Sequence, residues 1–118
     1  MNMKFITEQE KYWAGKFGNH YIDRNQGENL LASNINFFSK SLNAATKINS
    51  CIEFGANIGM NLKALKYLYP DIELHGIEIN KEAAEILSKT ISLLTPPLTL
   101  IMPFSSTSAL SSAWNSLF

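Results

Sequence analysis

The stretch that decides the fold is Ser50-Cys51-Ile52-Glu53-Phe54-Gly55-Ala56-Asn57-Ile58-Gly59-Met60-Asn61-Leu62. It begins as an apolar run of the strand type, from Cys51 to Phe54, and two glycines then interrupt it. Around the second glycine the apolar residues take up the spacing of one helical face, at Ile58, Leu62, Leu65 and Leu68. A strand, a glycine turn and a helix in this order are typical of the opening unit of an α/β domain that binds a nucleotide or a cofactor.

The two glycines of this turn are expected to have different roles. Gly55 lets the chain turn sharply after the strand, and it lets a ligand approach the backbone without a Cβ in the way. Gly59 stands where the new helix must pass close to the strand or to the ligand. The start of that helix offers unpaired N–H groups, which suit a carboxylate or a phosphate.

The spacing of the glycines narrows the choice of cofactor. The sequence lacks the Gly-Lys-Ser/Thr ending of a P-loop, and it has Asn57 and Met60 where a dinucleotide fingerprint needs glycine. It does match acidic-x-Gly-x-x-x-Gly through Glu53, Gly55 and Gly59. After a strand, that pattern resembles motif I of the class I S-adenosylmethionine-dependent methyltransferases. That family often has a third glycine where Asn57 stands, and Asn tolerates left-handed backbone angles better than most residues. An ordinary turn of another α/β protein is the alternative interpretation.

A second strand is predicted where Ile72 to Asn80 alternates towards an acidic end. Glu78 lies nineteen residues after Gly59, which places its carboxylate at the end of the neighbouring parallel strand, beside the glycine turn. There the carboxylate could accept hydrogen bonds from both hydroxyls of a ribose. The alternative is a strand-end carboxylate that caps the next helix. Asn80 is a candidate for that cap, with a helix over Lys81 to Ser88.

The N-terminal part is predicted to be helical and aromatic. Thr7 and Glu10 form a capping box that starts a helix over residues 7–16. The glycine-punctuated segment 12–25 predicts a structured loop, and a second helix with a continuous apolar face is predicted over Gly27 to Ala45. The loop is either a hydrophobic plug on the sheet edge or a lid over a ligand pocket, with a ring near the cofactor from Trp13, Phe17 or Tyr21.

Composition excludes several classes of function. Ten basic and ten acidic residues cancel, so the sequence carries no basic bias towards nucleic acid or an anionic membrane. The single cysteine, Cys51, cannot form an internal disulfide and is expected to be a small buried residue in a reducing cytoplasm. His20 and His75 have no partner at metal-ligand spacing, so no metal site is predicted.

The N-terminal segment sharpens the resemblance to one group of methyltransferases. Glu8-Gln9-Glu10-Lys11-Tyr12-Trp13-Ala14-Gly15-Lys16-Phe17-Gly18-Asn19-His20-Tyr21-Ile22-Asp23-Arg24-Asn25 looks like the opening of the methyltransferase-like family associated with pseudaminic acid biosynthesis. The resemblance covers residues 7 to about 89. It implies a Rossmann-like α/β fold and S-adenosylmethionine as cofactor. It also implies that Gly55, Asn57 and Gly59 border the methionine and ribose of the cofactor, that Glu78 holds the ribose hydroxyls and that Glu53 orients the loop.

The chain divides into three parts by composition: an N-terminal helical and aromatic lid region over 1–47, a cofactor-binding βαβ core over 48–89 and a charge-free tail over 90–118. All twenty charged side chains fall in the first 89 residues. The tail could hold a third strand over Leu98 to Met102, but it lacks the acid expected beside an adenine. Three explanations of the tail stay open: a truncated or frame-shifted product, a short protein whose apolar tail pairs with a partner, and a membrane segment. The change in composition favours the first. Pro and Ser interrupt every long apolar stretch, which argues against the third.

The function expected from the resemblance is methyl transfer to a small-molecule or sugar acceptor in bacterial surface-sugar biosynthesis. We expect an incomplete Rossmann-like domain with two or three parallel strands, inactive as it stands. A half sheet of this kind exposes an unpaired edge, so self-association through that edge is expected. The alternative, from a different class, is a non-catalytic interaction or assembly module.

Overall fold

The computed structural model describes residues 5–94 and 101–103. Within those residues the chain forms five helices and three strands. The helices are α1 (Glu8–Ala14), α2 (Lys16–Arg24), α3 (Glu28–Ser41), α4 (Met60–Leu68) and α5 (Lys81–Leu94). The strands are β1 (Ser50–Phe54), β2 (Glu73–Glu78) and β3 (Ile101–Pro103).

The three strands form one parallel sheet in the order β1-β2-β3. In the register of the first pair, Ser50 lies opposite Glu73 and Phe54 lies opposite Ile77. The predicted strand–helix–strand unit is therefore confirmed, with α4 as the connection between parallel neighbours. The described part of the third strand is Ile101–Pro103, which agrees with the prediction at Ile101 and Met102, and residues 98–100 of that prediction lie outside the described part of the chain.

The main core lies where α4 and α5 pack on the sheet. Its buried side chains come from the glycine turn and α4, from β2 and the residue before it, and from α5: Ala56, Leu62, Leu65, Ile72, Leu74, Leu87 and Ile91. Burial of one such leucine or isoleucine contributes roughly 1.5–3 kcal/mol. Helix α5 continues past the predicted end at Ser88, because Ile91 lies one helical turn beyond Leu87 and extends the same buried stripe.

Cys51 packs against this core from β1. Its side chain is half-buried, which is less than the burial that the sequence predicted. Burial, followed by the nearby charge of Glu53, raises the pKa of its thiol. A raised pKa keeps the thiol protonated and poorly nucleophilic.

The prediction of a loop over residues 12–25 is wrong, because most of this segment is helical. The predicted capping box of Thr7 and Glu10 is confirmed and starts α1, and Gly15 then adopts extended angles between α1 and α2. Gly18 does not break α2. A Cβ on Gly18 would lie 1.8 Å from the carbonyl oxygen of Trp13, so this glycine serves the close approach of the two helices.

Helix α3 confirms the second predicted helix with tighter bounds. Gly27 precedes it with a φ of +109°, and Leu31 is its buried residue. The helix is joined to α4 by a 3.0 Å hydrogen bond from Asn34 Nδ2 to Asn61 Oδ1. None of the helices among the described residues has the length and apolar character needed to cross a bilayer.

Candidate functional site

The glycine turn after β1 is held in left-handed backbone conformations and tied to β2. Gly55, Asn57 and Gly59 have φ values of +74°, +51° and +87°. The backbone N–H groups of Gly55 and Ala56 both donate to the carbonyl oxygen of Ile77, at 2.8 and 3.0 Å. Asn57 thus adopts the left-handed conformation that Asn tolerates better than most residues.

Glu78 lies at the same edge of the sheet as this turn and is directly bonded to it. Its Oε2 accepts a 2.7 Å hydrogen bond from the backbone N–H of Asn57, and its Oε1 accepts one of 2.8 Å from the N–H of Asn80. The side chain is 7% exposed. The two interpretations of Glu78 are therefore not exclusive, because the carboxylate faces the turn and also supports the residue that precedes α5.

Asn80 is the N-cap of α5, as predicted. Its Oδ1 accepts a 3.0 Å hydrogen bond from the N–H of Ala83 in the first turn of the helix. Its Nδ2 donates in the opposite direction, to groups on α1 and α2. The sequence signals the cap but not these long-range partners, which lie more than sixty residues earlier in the chain.

The two glycines of the turn face different surroundings. A Cβ on Gly55 would have no atom within 4 Å, so the space above this residue is open. A Cβ on Gly59 would lie 2.8 Å from Cδ1 of Leu87. Gly55 thus has open space beside it, whereas Gly59 lies where α4 packs closely against α5.

A cleft of about 630 Å³ opens between this edge of the sheet and the N-terminal helices. We call it the Glu78 cleft, and its volume is in the range of small-molecule binding sites. One wall comes from the sheet edge and the other from α1 and α2, and the lining residues include Trp13, Gly18, Tyr21, Gly55, Asn57 and Glu78.

Of the three aromatic residues singled out in the sequence, two line the Glu78 cleft and one does not. Trp13 and Tyr21 line the Glu78 cleft, with their ring centroids 5.5 Å apart at 87°. Phe17 contacts Trp13 edge-to-face at 5.1 Å and supports it from behind the lining. The guanidinium of Arg24 lies 5.8 Å from the centroid of the Phe17 ring. The aromatic helices therefore form one wall of the cleft.

A second, smaller cleft of about 170 Å³ lies on the other side of the glycine turn. We call it the Glu53 cleft. It shares Tyr21, Gly55 and Asn57 with the first cleft, so the two meet at the turn. Its other lining residues come from the C-terminal end of α2, α3, the end of β1, the glycine turn and the start of α4, and they include Asn34, Glu53 and Asn61.

One carboxylate oxygen of Glu53 has a hydrogen-bond partner and the other has none. Its Oε1 accepts a 2.6 Å hydrogen bond from Asn61 Nδ2, and Asn61 in turn accepts from Asn34. Its Oε2 is buried and has no hydrogen-bond partner. Burial raises the pKa of Glu53; the Asn61 hydrogen bond opposes this, and the charge of Glu78 adds to it. Glu53 thus joins β1 to α4 and α3 through side chains that the motif did not indicate.

Comparison with known proteins identifies solved structures of the same fold. No protein-family model and no curated protein matches the sequence. The structure of the plantazolicin methyltransferase BpumL in complex with SAH superposes with a TM-score of 0.54 and 19% identity over 81% of this chain. Its complex with SAH and a monoazolic desmethylPZN analog gives 0.53 and 20% over 84%.

This chain spans 38% and 41% of the length of the chains in those two structures. The likeness rests on the backbone, since the sequence identity is low. Together with the parallel strands, the glycine turn and the carboxylate at the end of β2, it establishes the architecture. The described part of the chain has the Rossmann-like α/β fold of these methyltransferases.

Proposed function

We propose that the chain binds S-adenosylmethionine across the glycine turn, as the donor side of a methyltransferase. The observation that carries this proposal is the hydrogen bond between the N–H of Asn57 and the carboxylate of Glu78. This bond brings the Glu78 carboxylate, which would accept hydrogen bonds from a ribose, next to the open backbone of the turn. Both lie at the carboxyl edge of two parallel strands, where α/β proteins bind their ligands. The SAH held by the solved methyltransferases of this fold supports the same choice of ligand.

The unused hydrogen-bond acceptor positions of the Glu78 carboxylate suit a ribose. An ionised carboxylate offers about four lone-pair positions, of which the N–H groups of Asn57 and Asn80 use two. Two positions are therefore left for donors, which matches the two adjacent hydroxyls of a ribose. The two backbone bonds also hold the carboxylate in place before any ligand arrives.

The Glu53 cleft suits a positively charged group at the other end of the ligand. The buried Oε2 of Glu53 has no partner, and a carboxylate in that state favours an ammonium donor. The methionine part of the cofactor carries such an ammonium. A dinucleotide would instead bring a pyrophosphate next to Glu53, where like charges repel. The charges at the turn therefore favour S-adenosylmethionine over a dinucleotide.

The residues named here bind and orient the donor. When bound, the cofactor supplies a methyl group on a sulfonium, which is transferred by in-line displacement. Alignment of donor and acceptor contributes much of the rate of such a step. Trp13 and Tyr21 contribute their aromatic rings to one wall of the Glu78 cleft.

The acceptor is the finer part of the proposal. The resemblance of residues 8–25 and of the glycine turn to the pseudaminic acid-associated family favours a bacterial surface sugar. The solved methyltransferases of the same fold were crystallised with azole-containing desmethylPZN analogs. We therefore propose a sugar acceptor on the sequence resemblance and treat an azole-containing compound as the alternative acceptor.

Calorimetric titration of the 118-residue chain tests the donor part. SAH should bind, whereas NAD and ATP at the same concentration should not. Binding of NAD with no binding of SAH would contradict the proposal. Transfer of a labelled methyl group to surface-sugar precursors and, in parallel, to azole-containing desmethylPZN analogs tests the acceptor part. Transfer to the azole compounds alone would replace the sugar, and binding without any transfer would favour the non-catalytic module.

A further inference from the structure

We propose that Asn80 is a positioning residue that ties the helices α1 and α2 to the Glu78 carboxylate. One residue then holds both sides of the Glu78 cleft: its side-chain amide holds the helices that carry the aromatic wall, and its backbone N–H holds the carboxylate on the opposite side. The tether itself is inferred from contacts within the chain. Only its effect on ligand affinity rests on the proposed binding of S-adenosylmethionine.

Two bonds fix Asn80 to the sheet edge and to α5. Its backbone N–H donates to Oε1 of Glu78 at 2.8 Å, and its Oδ1 accepts from the N–H of Ala83 at 3.0 Å. The second bond also settles the orientation of the side-chain amide, since only the oxygen can accept from an N–H. The amide nitrogen therefore points away from α5.

The amide nitrogen reaches both N-terminal helices. It donates to the carbonyl oxygen of Trp13 at 3.0 Å and to Oδ1 of Asn19 at 2.7 Å. Trp13 lies in the last turn of α1, where backbone carbonyls have no partner within the helix. Asn80 is 2% exposed, so water does not readily replace these bonds.

Gly18 provides the space for this contact. A Cβ at this position would lie 2.7 Å from Nδ2 of Asn80, in addition to its clash with the carbonyl oxygen of Trp13. The contact therefore depends on a glycine inside a helix, where glycine is otherwise unfavourable. The loss of helix propensity at Gly18 is therefore offset by the close packing around Asn80.

The remaining attachment of these helices is small. Ile22 of α2 is buried in a cluster with Ile58 and Ala83, beside partly buried Met60 and Ile86. Helix α1 has no buried residue of its own. The position of Trp13 at the cleft therefore depends strongly on the bonds to Asn80.

The variant Asn80→Ser separates the tether from the helix cap. Serine caps a helix about as well as asparagine, and its backbone N–H is unchanged, but its side chain is too short to reach Trp13 or Asn19. Asn29→Ser, at an exposed position of α3, is the matched control. Gly18→Ala disrupts the same contact from the other side, although alanine is the better helix former.

Hydrogen exchange of the ligand-free chain is the first measurement. In Asn80→Ser and in Gly18→Ala, exchange over residues 8–24 should become faster by roughly tenfold, while α5 keeps its protection. Asn29→Ser should leave both segments unchanged. Unchanged exchange over 8–24 in both variants, or an equal loss of protection in α5, would overturn the tether.

Titration with SAH is the second measurement. Asn80→Ser should bind SAH about fivefold to tenfold more weakly than the unchanged chain, because the cleft wall must then be ordered on binding. Equal affinity despite faster exchange would overturn the positioning role. If the unchanged chain does not bind SAH, the proposed function fails, and the exchange data alone decide whether the tether exists.

Discussion

The backbone N–H of Asn57 lies 2.7 Å from Oε2 of Glu78, so the glycine turn after β1 and the carboxylate at the end of β2 form one hydrogen-bonded unit. The two residues are 21 positions apart in the chain. Their contact follows from the parallel pairing of β1 and β2, which brings the carboxyl ends of both strands to one edge. The edge at which we propose that the ligand binds is therefore held together by contacts within the chain itself.

Replacement of Glu78 tests this unit. Glu78→Ala leaves the N–H groups of Asn57 and Asn80 without their acceptor and removes the proposed partner of the ribose. We expect SAH affinity to fall by about 1–3 kcal/mol in calorimetric titration. Glu78→Gln should retain part of the affinity, since one oxygen remains. An affinity equal to that of the unchanged chain in both variants would exclude Glu78 from the site.

Replacement of Gly55 tests the open space above the turn. Gly55→Val places a branched side chain in the cleft and should abolish SAH binding, with a stability cost of about 1–2 kcal/mol from its left-handed backbone. Gly27→Val is the matched control, because Gly27 also has a positive φ and open space around its Cβ position but does not line the Glu78 cleft. The control should lose stability in thermal unfolding and keep its affinity. Loss of binding in both variants would point to unfolding instead.

Gly59 is expected to behave differently from Gly55. Gly59→Ala combines a left-handed backbone with a contact of 2.8 Å to Leu87, so we expect the free energy of unfolding to fall by about 2–3 kcal/mol. Chemical denaturation measures this loss, and the SAH affinity of the folded fraction should change little. A variant that stays stable and loses its affinity would instead place Gly59 at the ligand.

The pH dependence of stability tests the burial of Glu53. Its pKa is raised in the folded chain, so the folded chain holds this proton more tightly than the unfolded chain. Stability therefore falls as pH rises from the ordinary value of 4.5 through the folded value. Glu53→Gln removes this loss and should be more stable by about 1 kcal/mol at neutral pH, since it no longer buries an unpaired charge.

The same variant should bind SAH more weakly, because the proposed partner of the ammonium is lost. Glu85→Gln, at an exposed position of α5, controls for the loss of one negative charge. Thermal unfolding between pH 4 and pH 8 and calorimetric titration measure the two effects. A Glu53→Gln chain that is less stable than the unchanged chain at neutral pH would contradict this account of the buried oxygen.

The local parts of the fold were readable in the sequence because each depends on neighbours in the chain. The glycines at 55 and 59, the helical stripe after them and the capping box of Thr7 and Glu10 all act within a few residues. The position of Glu78 beside the turn also followed, because a strand–helix–strand unit of this length leaves few arrangements of its two strand ends. The glycine turn and the spacing to Glu78, together with the resemblance to motif I, carried the prediction of a Rossmann-like fold.

Only the tertiary structure decided which contacts those residues make. In the sequence Gly18 appeared to mark a loop, but it lies inside α2. A glycine is needed there because the backbone of α1 and the amide of Asn80 occupy the space that a Cβ would take. Glu53 bonds to Asn61, and Asn80 bonds to Trp13 across 67 positions of sequence. Such contacts depend on how the helices pack on the sheet, and hydrophobic periodicity specifies which face of a helix is buried but not which polar side chains meet at its ends.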